Sequence, residues 1–268
     1  MSRFASVAVT AVASFLLATS VAYAENSEYT NSLWSNASCT DDCGCEVDNC
    51  DCCSGGWFSG ASIYGELQLV HLEQHSTDAA VNPDIDGETG YRAIVGIEGA
   101  SGLGFRITHF DYDGVQLVSG VSNGLDMTAS DFEITDCFQL CSWRGTLSGG
   151  YRYVELDSWE FGSTDVDFDG HGLTVGIEME RDLIGRLGLF ASWQYSILFG
   201  DDRDASSDYD TTFDWTELQL GLQYDMCLFG RDAFLRAGAE AQMISGPLDD
   251  DADDAGMLGG FLSLGVRY

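Results

Sequence analysis

Phe234-Leu-Arg-Ala-Gly-Ala-Glu-Ala-Gln-Met-Ile244 sorts its side chains into two rows. Leu235, Ala237, Ala239, Ala241 and Met243 form one row; Arg236, Gly238, Glu240 and Gln242 form the other. A strand sends alternate side chains to opposite faces, so this stretch has an apolar face and a charged face. The same beat recurs between turn residues along the chain, the pattern of a transmembrane β-barrel. Counting by alternation gives about ten strands, at 57–72, 89–99, 103–112, 129–140, 142–156, 166–180, 187–199, 212–226, 232–244 and 257–268. The expected fold is all-β: an up-and-down antiparallel transmembrane β-barrel over 57–268.

The joints between these strands alternate in length. Those near Ala100-Ser101-Gly102, Cys141, Arg181 to Arg186 and Cys227 to Arg231 are short, while 73–88, 113–128, 157–165, 200–211 and 245–256 are long. Outer-membrane barrels have short periplasmic turns and longer external loops, so an even strand count puts both ends of the barrel on the periplasmic side. The long joints hold much acid, including Asp201, Asp202, Asp204, Asp208 and Asp210, then Asp249 to Asp251, Asp253 and Asp254.

A cost argument sets which row faces lipid. Arg92, Arg106, Arg144, Arg152, Arg236 and Arg267 lie inside strands, and Glu66, Glu98, Glu133, Glu178, Glu217 and Glu240 share their row. One arginine facing lipid at mid-depth costs about 2–4 kcal/mol, so six would cost on the order of 12–24 kcal/mol, more than a typical domain's whole stability. The Arg/Glu row is therefore expected to line the lumen, where opposite charges pair. The lipid row then reads Leu187, Leu189, Ala191, Trp193, Tyr195, Ile197 and Phe199 in one strand. Asp136 and His109 fall in the lipid row by parity, which points to the rim or to a bulge. Phe168 and Leu173 are out of step, which points to a phase break at Gly170. A soluble antiparallel barrel or sandwich is the competing fold; it also alternates, but its apolar row must face a core of large side chains.

Composition bounds the rest. Met1-Ser2-Arg3, an apolar run from Phe4 to Leu17 and Ala22-Tyr23-Ala24 read as a signal peptide over 1–24, with the mature chain starting near Glu25. No later apolar run approaches the roughly 20 residues of a spanning helix. The 44 acidic residues face 11 basic ones, all arginine, which argues against a nucleic-acid partner. A disordered acidic chain is excluded by 45% hydrophobic and 12% aromatic content.

Several strand texts resemble the Legionella-type major outer-membrane protein family, a family of pore-forming β-barrels. They are "GLGFRITHFDYD" (102–113), "DFEITDCFQLCSWRGTLSGGYRYVELD" (131–157), "FDGHGLTVGIEMERDLIGRLGLFASWQYSILFGD" (168–201), "ELQLGLQYD" (217–225), "FLRAGAEAQ" (234–242) and "LSLGVRY" (262–268). The resemblance covers roughly 57–268 and implies an outer-membrane, porin-like role. It brings no catalytic motif. The Cys-rich stretch before Trp57 departs from it. Leu262, Leu264, Val266 and the aromatic Tyr268 also look like the C-terminal strand signature of inserted barrels.

Residues 25–56 form a polar periplasmic segment with six cysteines, Cys39, Cys43, Cys45, Cys50, Cys52 and Cys53. An exported context favours disulfides, within the segment or to envelope partners; Cys-X-Cys metal binding is the alternative. Cys141 and Cys227 are expected at periplasmic turns, on the same side. Asp165, Asp167 and Asp169 with Gly170 match the first half of a calcium loop, but Gly176 stands where its bidentate Glu belongs. Asn82, Asp84, Asp86 and Gly87 repeat the half-match, and Ala93 fails the same test. His71, His75, His109 and His171 are expected near the external rim, without a nucleophile motif beside them.

The expectation is a passive outer-membrane pore for small solutes or ions, with the Arg/Glu row setting preference and acidic loops gathering cations. No cofactor and no enzymatic activity are expected, and the membrane partner is outer-membrane lipid. The alternative is a non-conducting structural or adhesive envelope barrel whose lumen is plugged by charge, because ten strands enclose little free space.

Overall fold

Persistent alternation dictates strands. The computed structural model describes residues 61–75, 85–118, 121–140, 142–160, 163–204, 207–245 and 255–268. The expected signal peptide, the Cys-rich segment and the expected first strand residues 57–60 lie outside them. Ten strands follow in order: β1 (Ser62–His75), β2 (Ile85–Glu98), β3 (Leu103–Val118), β4 (Val121–Leu140), β5 (Trp143–Glu160), β6 (Ser163–Ile184), β7 (Leu187–Asp204), β8 (Ser207–Leu228), β9 (Arg231–Ser245) and β10 (Ala255–Arg267). Each pairs antiparallel with its chain neighbours, and β1 pairs with β10, so the sheet closes into a barrel without edges.

At the short-turn end the backbone is specific. Gly185 opens the β6–β7 turn at φ 60°, and the β8–β9 turn holds Phe229 at φ 53° and Gly230 at φ 76°. Two consecutive positive φ values make a type I′ hairpin turn, whose twist matches the flanking strands.

Three joints expected as long loops are largely strand. β3 and β4 are paired out to Val118 and Val121, β5 and β6 out to Glu160 and Ser163, and β7 and β8 out to Asp204 and Ser207. β6 and β8 reach 22 residues each, about twice the 9–11 that cross a bilayer. The acids Asp201, Asp202, Asp204, Asp208 and Asp210 therefore sit on a hairpin, not in a loop; Asp249–Asp251, Asp253 and Asp254 lie outside the described residues.

The reason these extensions escape the alternation rule is that the two faces exchange polarity along one strand. On β3 the outward row runs Phe105, Ile107, His109, Asp111, Asp113, and the inward row runs Arg106, Thr108, Phe110, Tyr112. Phe105 and Ile107 are exposed, whereas Phe110 and Tyr112 are buried. β5 repeats this: Leu147, Tyr151 and Tyr153 face out beside inward Arg152, then Glu155 and Asp157 face out beside inward Val154 and Leu156. In the bilayer the apolar side must meet lipid; beyond it the apolar side must leave water. One continuous backbone satisfies both by holding its phase and swapping residue types.

This corrects the expected break at Gly170. β5 and β6 stay in register from Asp157↔Asp167 to Arg144↔Glu180. Phe168 is 2% exposed and faces in, above the bilayer, and Leu173 is 71% exposed and faces lipid. No bulge accompanies His109 or Asp136 either, since β3 and β4 pair without interruption. Register shifts fall instead at Leu72/Gln74, Ser158/Trp159 and Asp182/Ile184.

Candidate functional site: a two-storey lumen

The inward row builds two storeys. The lower one is ionic and uses strands from all round the barrel. Arg92 (β2) donates from Nη2 to Glu217 Oε2 (β8) at 2.5 Å and to Glu240 Oε1 (β9) at 2.9 Å, and it also donates to Gln68 (β1). Arg152 (β5) grips Asp131 (β4) with two bonds of 2.6 and 2.7 Å and reaches Glu217 Oε1 at 2.6 Å. Arg106 (β3) pairs with Glu133 at 2.7 Å and with Glu178 (β6). Arg236 (β9) bonds Gln223 at 2.7 Å, Glu66 (β1) at 3.1 Å and Glu180 at 2.5 Å. Glu240 is fully buried and also accepts from Gln219 and Gln242, each at 2.6 Å. Fork-shaped guanidiniums spanning several strands suit this, because bidentate geometry fixes direction as well as charge.

Arg144 and Arg267 face the periplasmic mouth and are partly exposed; Arg144 lies 3.2 Å from Asp182 and 3.6 Å from Glu180, and Arg267 lies 3.7 Å from Glu180. Glu98 shares the inward row at the same end of β2. All twelve Arg and Glu residues expected to line the lumen thus fall on the inward row. The sequence reading missed Asp131, Glu180, Gln68, Gln194, Gln219, Gln223 and Gln242. Parity would have found all but Gln194, because each of the others stands an even number of residues from an inward Arg or Glu of its own strand, and β7 has no Glu.

The upper storey is apolar. Val70, Leu72, Phe110, Tyr112, Leu125, Met127, Ala129, Val154, Leu156, Phe168, Leu198, Phe213, Trp215, Ile244 and Met257 belong to one buried cluster, which also reaches down to Phe190 and Phe261 beside Arg236. Phe168 and Phe213 meet with ring centroids 4.2 Å apart, and Phe110 and Trp215 meet edge-on at 6.1 Å. The storeys join through cations under rings: Arg152 lies 4.8 Å from the Trp215 ring and Arg92 4.8 Å from the Phe110 ring. Tyr112 donates its hydroxyl to the Leu72 carbonyl at 3.1 Å, so its one polar atom is satisfied. Between the ionic residues remains a cavity of about 50 Å³, bordered by Glu66, Arg92, Arg106, Glu178, Glu217 and Arg236. That is room for a few waters.

Outside, Leu67, Val95, Ile107, Ile134, Leu173 and Leu262 belong to an exposed apolar belt around the lower storey. Leu189 and Ala191, expected in that belt, lie on its row but are buried among neighbours. Tyr91 and Tyr151 mark its upper edge, each against a histidine: Tyr91–His109 at 6.1 Å and Tyr151–His171 at 5.8 Å. His109 also bonds Ser130 at 3.1 Å, and His71 lies 3.3 Å from Thr89. The histidines thus sit at the boundary; the side chain of His75 lies outside the description. A closed sheet with an apolar belt outside and ions inside is the form that crosses a bilayer. The chain is an outer-membrane β-barrel.

Above the belt the outer wall is acidic in register. Asp113↔Asp126↔Asp157↔Asp167 form one row across β3 to β6, and Glu155↔Asp169↔Asp201 form the row below it. Burial first, then the neighbouring carboxylates, push Asp126 and Asp157 above the usual carboxylate range. The calcium half-match lies on strand, not in an acidic loop. Residues 163–184 are extended strand, so Asp167 and Asp169 stand two apart along one face and no turn brings ligands together. No group of three or more His, Cys, Asp or Glu converges for a metal among the described residues. Cys39 to Cys53 and Cys141 lie outside those residues. Cys227 is in β8, not at a turn, and Cys137 Sγ lies 3.7 Å from Thr146 Oγ1 on β5.

No family model and no curated protein matches the chain. Solved structures do. The outer membrane protease OmpT from Escherichia coli matches at 7% identity, over 81% of this chain and 99% of that one, with a TM-score of 0.44. OprG, an outer membrane protein from Pseudomonas aeruginosa, matches at 11% identity over 80% and 98%, with a TM-score of 0.34. Ail, the attachment invasion locus protein of Yersinia pestis, matches at 10% identity over 78% and 100%, with a TM-score of 0.28. The expectation that the chain is no enzyme is corrected by the first of these.

Proposed function

We propose that this is an envelope barrel that acts through its surfaces while its lumen is held shut. One observation carries the reading: the inward row fills the bore twice, with cross-strand ion pairs in the bilayer and packed rings and aliphatics above it. Either storey alone would obstruct solute. Together they leave about 50 Å³ among the ionic residues. Under this reading the Arg/Glu row fastens the wall, with Arg92 and Arg152 tying β2, β4, β5, β8 and β9 together. The extended hairpins then raise an acidic, rigid collar above the outer leaflet.

The second reading is the passive pore for small solutes or ions, and the charged border of the cavity favours it. It requires the apolar storey to move aside. Planar-bilayer recording from the folded full chain separates the two. Silence across the accessible voltage range, from protein shown folded by heat-dependent gel mobility, is expected. Reproducible stepwise currents would overturn the closed reading and restore the pore.

A further inference from the structure

The outer wall carries opposite charge at its two ends. Every arginine named in the lumen faces inward. Among the described residues with described side chains, the arginines facing outward are Arg181, Arg186 and Arg231, and all three sit at the periplasmic end. They occupy one sector, from β6 to β9: Arg181 near the end of β6, Arg186 on the turn after Ile184 and Arg231 at the start of β9. The β6–β7 turn is held against β8 by a bond from the Asp225 N–H to the Arg186 carbonyl at 2.9 Å, and β8 runs on past it to its own turn at Phe229 and Gly230. The opposite sector carries outward Asp136 on β4 instead.

The same turns expose large apolar tips. Ile184 is 80% and Phe229 96% exposed, and Phe229 holds a positive φ that a side chain rarely adopts. Aromatics stand beside the arginines: Arg231 lies 3.6 Å over the Tyr268 ring and Arg181 lies 5.6 Å from the Trp143 ring. Apolar tips, interfacial rings and fixed cations on adjacent turns are the elements that engage a charged membrane interface.

We infer that the β6–β9 periplasmic rim is a binding surface for anionic phospholipid headgroups of the inner leaflet. Arg186 and Arg231 meet the phosphodiester, and the Tyr268 ring beside Arg231 stands at the headgroup level. The inference does not depend on whether the lumen conducts. The full chain is folded into nanodiscs of phosphatidylcholine mixed with phosphatidylglycerol, and lipids retained on the released barrel are counted by native mass spectrometry. The wild type should retain phosphatidylglycerol in preference to phosphatidylcholine. One basic side chain at an anionic surface is worth roughly fivefold, so R186Q/R231Q should lower that preference by on the order of 25-fold. D136N in the opposite sector should leave it unchanged. Both variants are exposed-site changes, checked for folding by gel mobility. Equal retention of the two lipids by the wild type, or an undiminished preference in folded R186Q/R231Q, would overturn the inference.

Discussion

Replacing Arg92 by Met tests the ionic storey where it is most tightly linked. Met keeps the aliphatic stem beneath Phe110 and removes the guanidinium. Glu217 retains Arg152 at 2.6 Å, but among the described residues Glu240 has its ion pair with Arg92 alone. At an effective dielectric of about 20, charges about 4 Å apart attract by about 4 kcal/mol. Removing one partner of a buried pair costs about 3–5 kcal/mol for the same reason, because the other charge is left without compensation. Arg92→Met should therefore destabilise by about 3–5 kcal/mol. Glu240→Gln alone should cost less, since Arg92 keeps Glu217 and the amide still bonds Gln219 or Gln242. The double variant should recover most of the loss, giving a coupling energy of about 2–3 kcal/mol. The assay is urea unfolding of the folded barrel in detergent micelles, followed by tryptophan fluorescence and gel mobility. Single costs that simply add, within about 0.5 kcal/mol, would refute the network.

Spin labels on the outward faces of β5 and β6 should report two solvents. A label at Leu173 should be reached by oxygen in the hydrocarbon, and labels at Asp169 and Asp157 by a water-soluble nickel complex; a hydrocarbon signal at Asp157 would sink the exchange of face polarity. The acidic row should also make stability depend on pH. Asp126 and Asp157 bind protons more tightly folded than unfolded, so their protonated forms stabilise the barrel. That contribution is complete below the ordinary carboxylate value of 3.8 and is lost as pH rises through the raised folded values. D126N/D157N should accordingly raise the urea midpoint at neutral pH, with the advantage over wild type fading as pH falls to 3.8; a constant advantage would contradict the row's electrostatics.

Much of the fold is legible in the sequence because strand alternation is a local property. Arg106, Arg152 and Arg236 identify the inward row by cost alone, and ten strands follow from counting beats between turns. Where the reading went astray, at Phe168 against Leu173 and at the joints 113–128, 157–165 and 200–211, the backbone did nothing unusual. The solvent outside the strand changed from lipid to water, and the meaning of an apolar residue reversed with it. Nothing in a short window of sequence tells where that boundary lies. It is fixed by the height at which ten strands, staggered around a closed cylinder, leave the bilayer together.

The chain's own text therefore determined the strand number, the up-and-down order and the sign of the charged face, because each depends on residues close together in the chain. Only the tertiary structure decided who meets whom across the bore. Arg92 and Glu240 are separated by 148 positions, and Arg236 and Glu66 by 170. Their pairing, and the ring-filled storey above it, exist because closure brings distant strands to opposite sides of a space too narrow to leave empty.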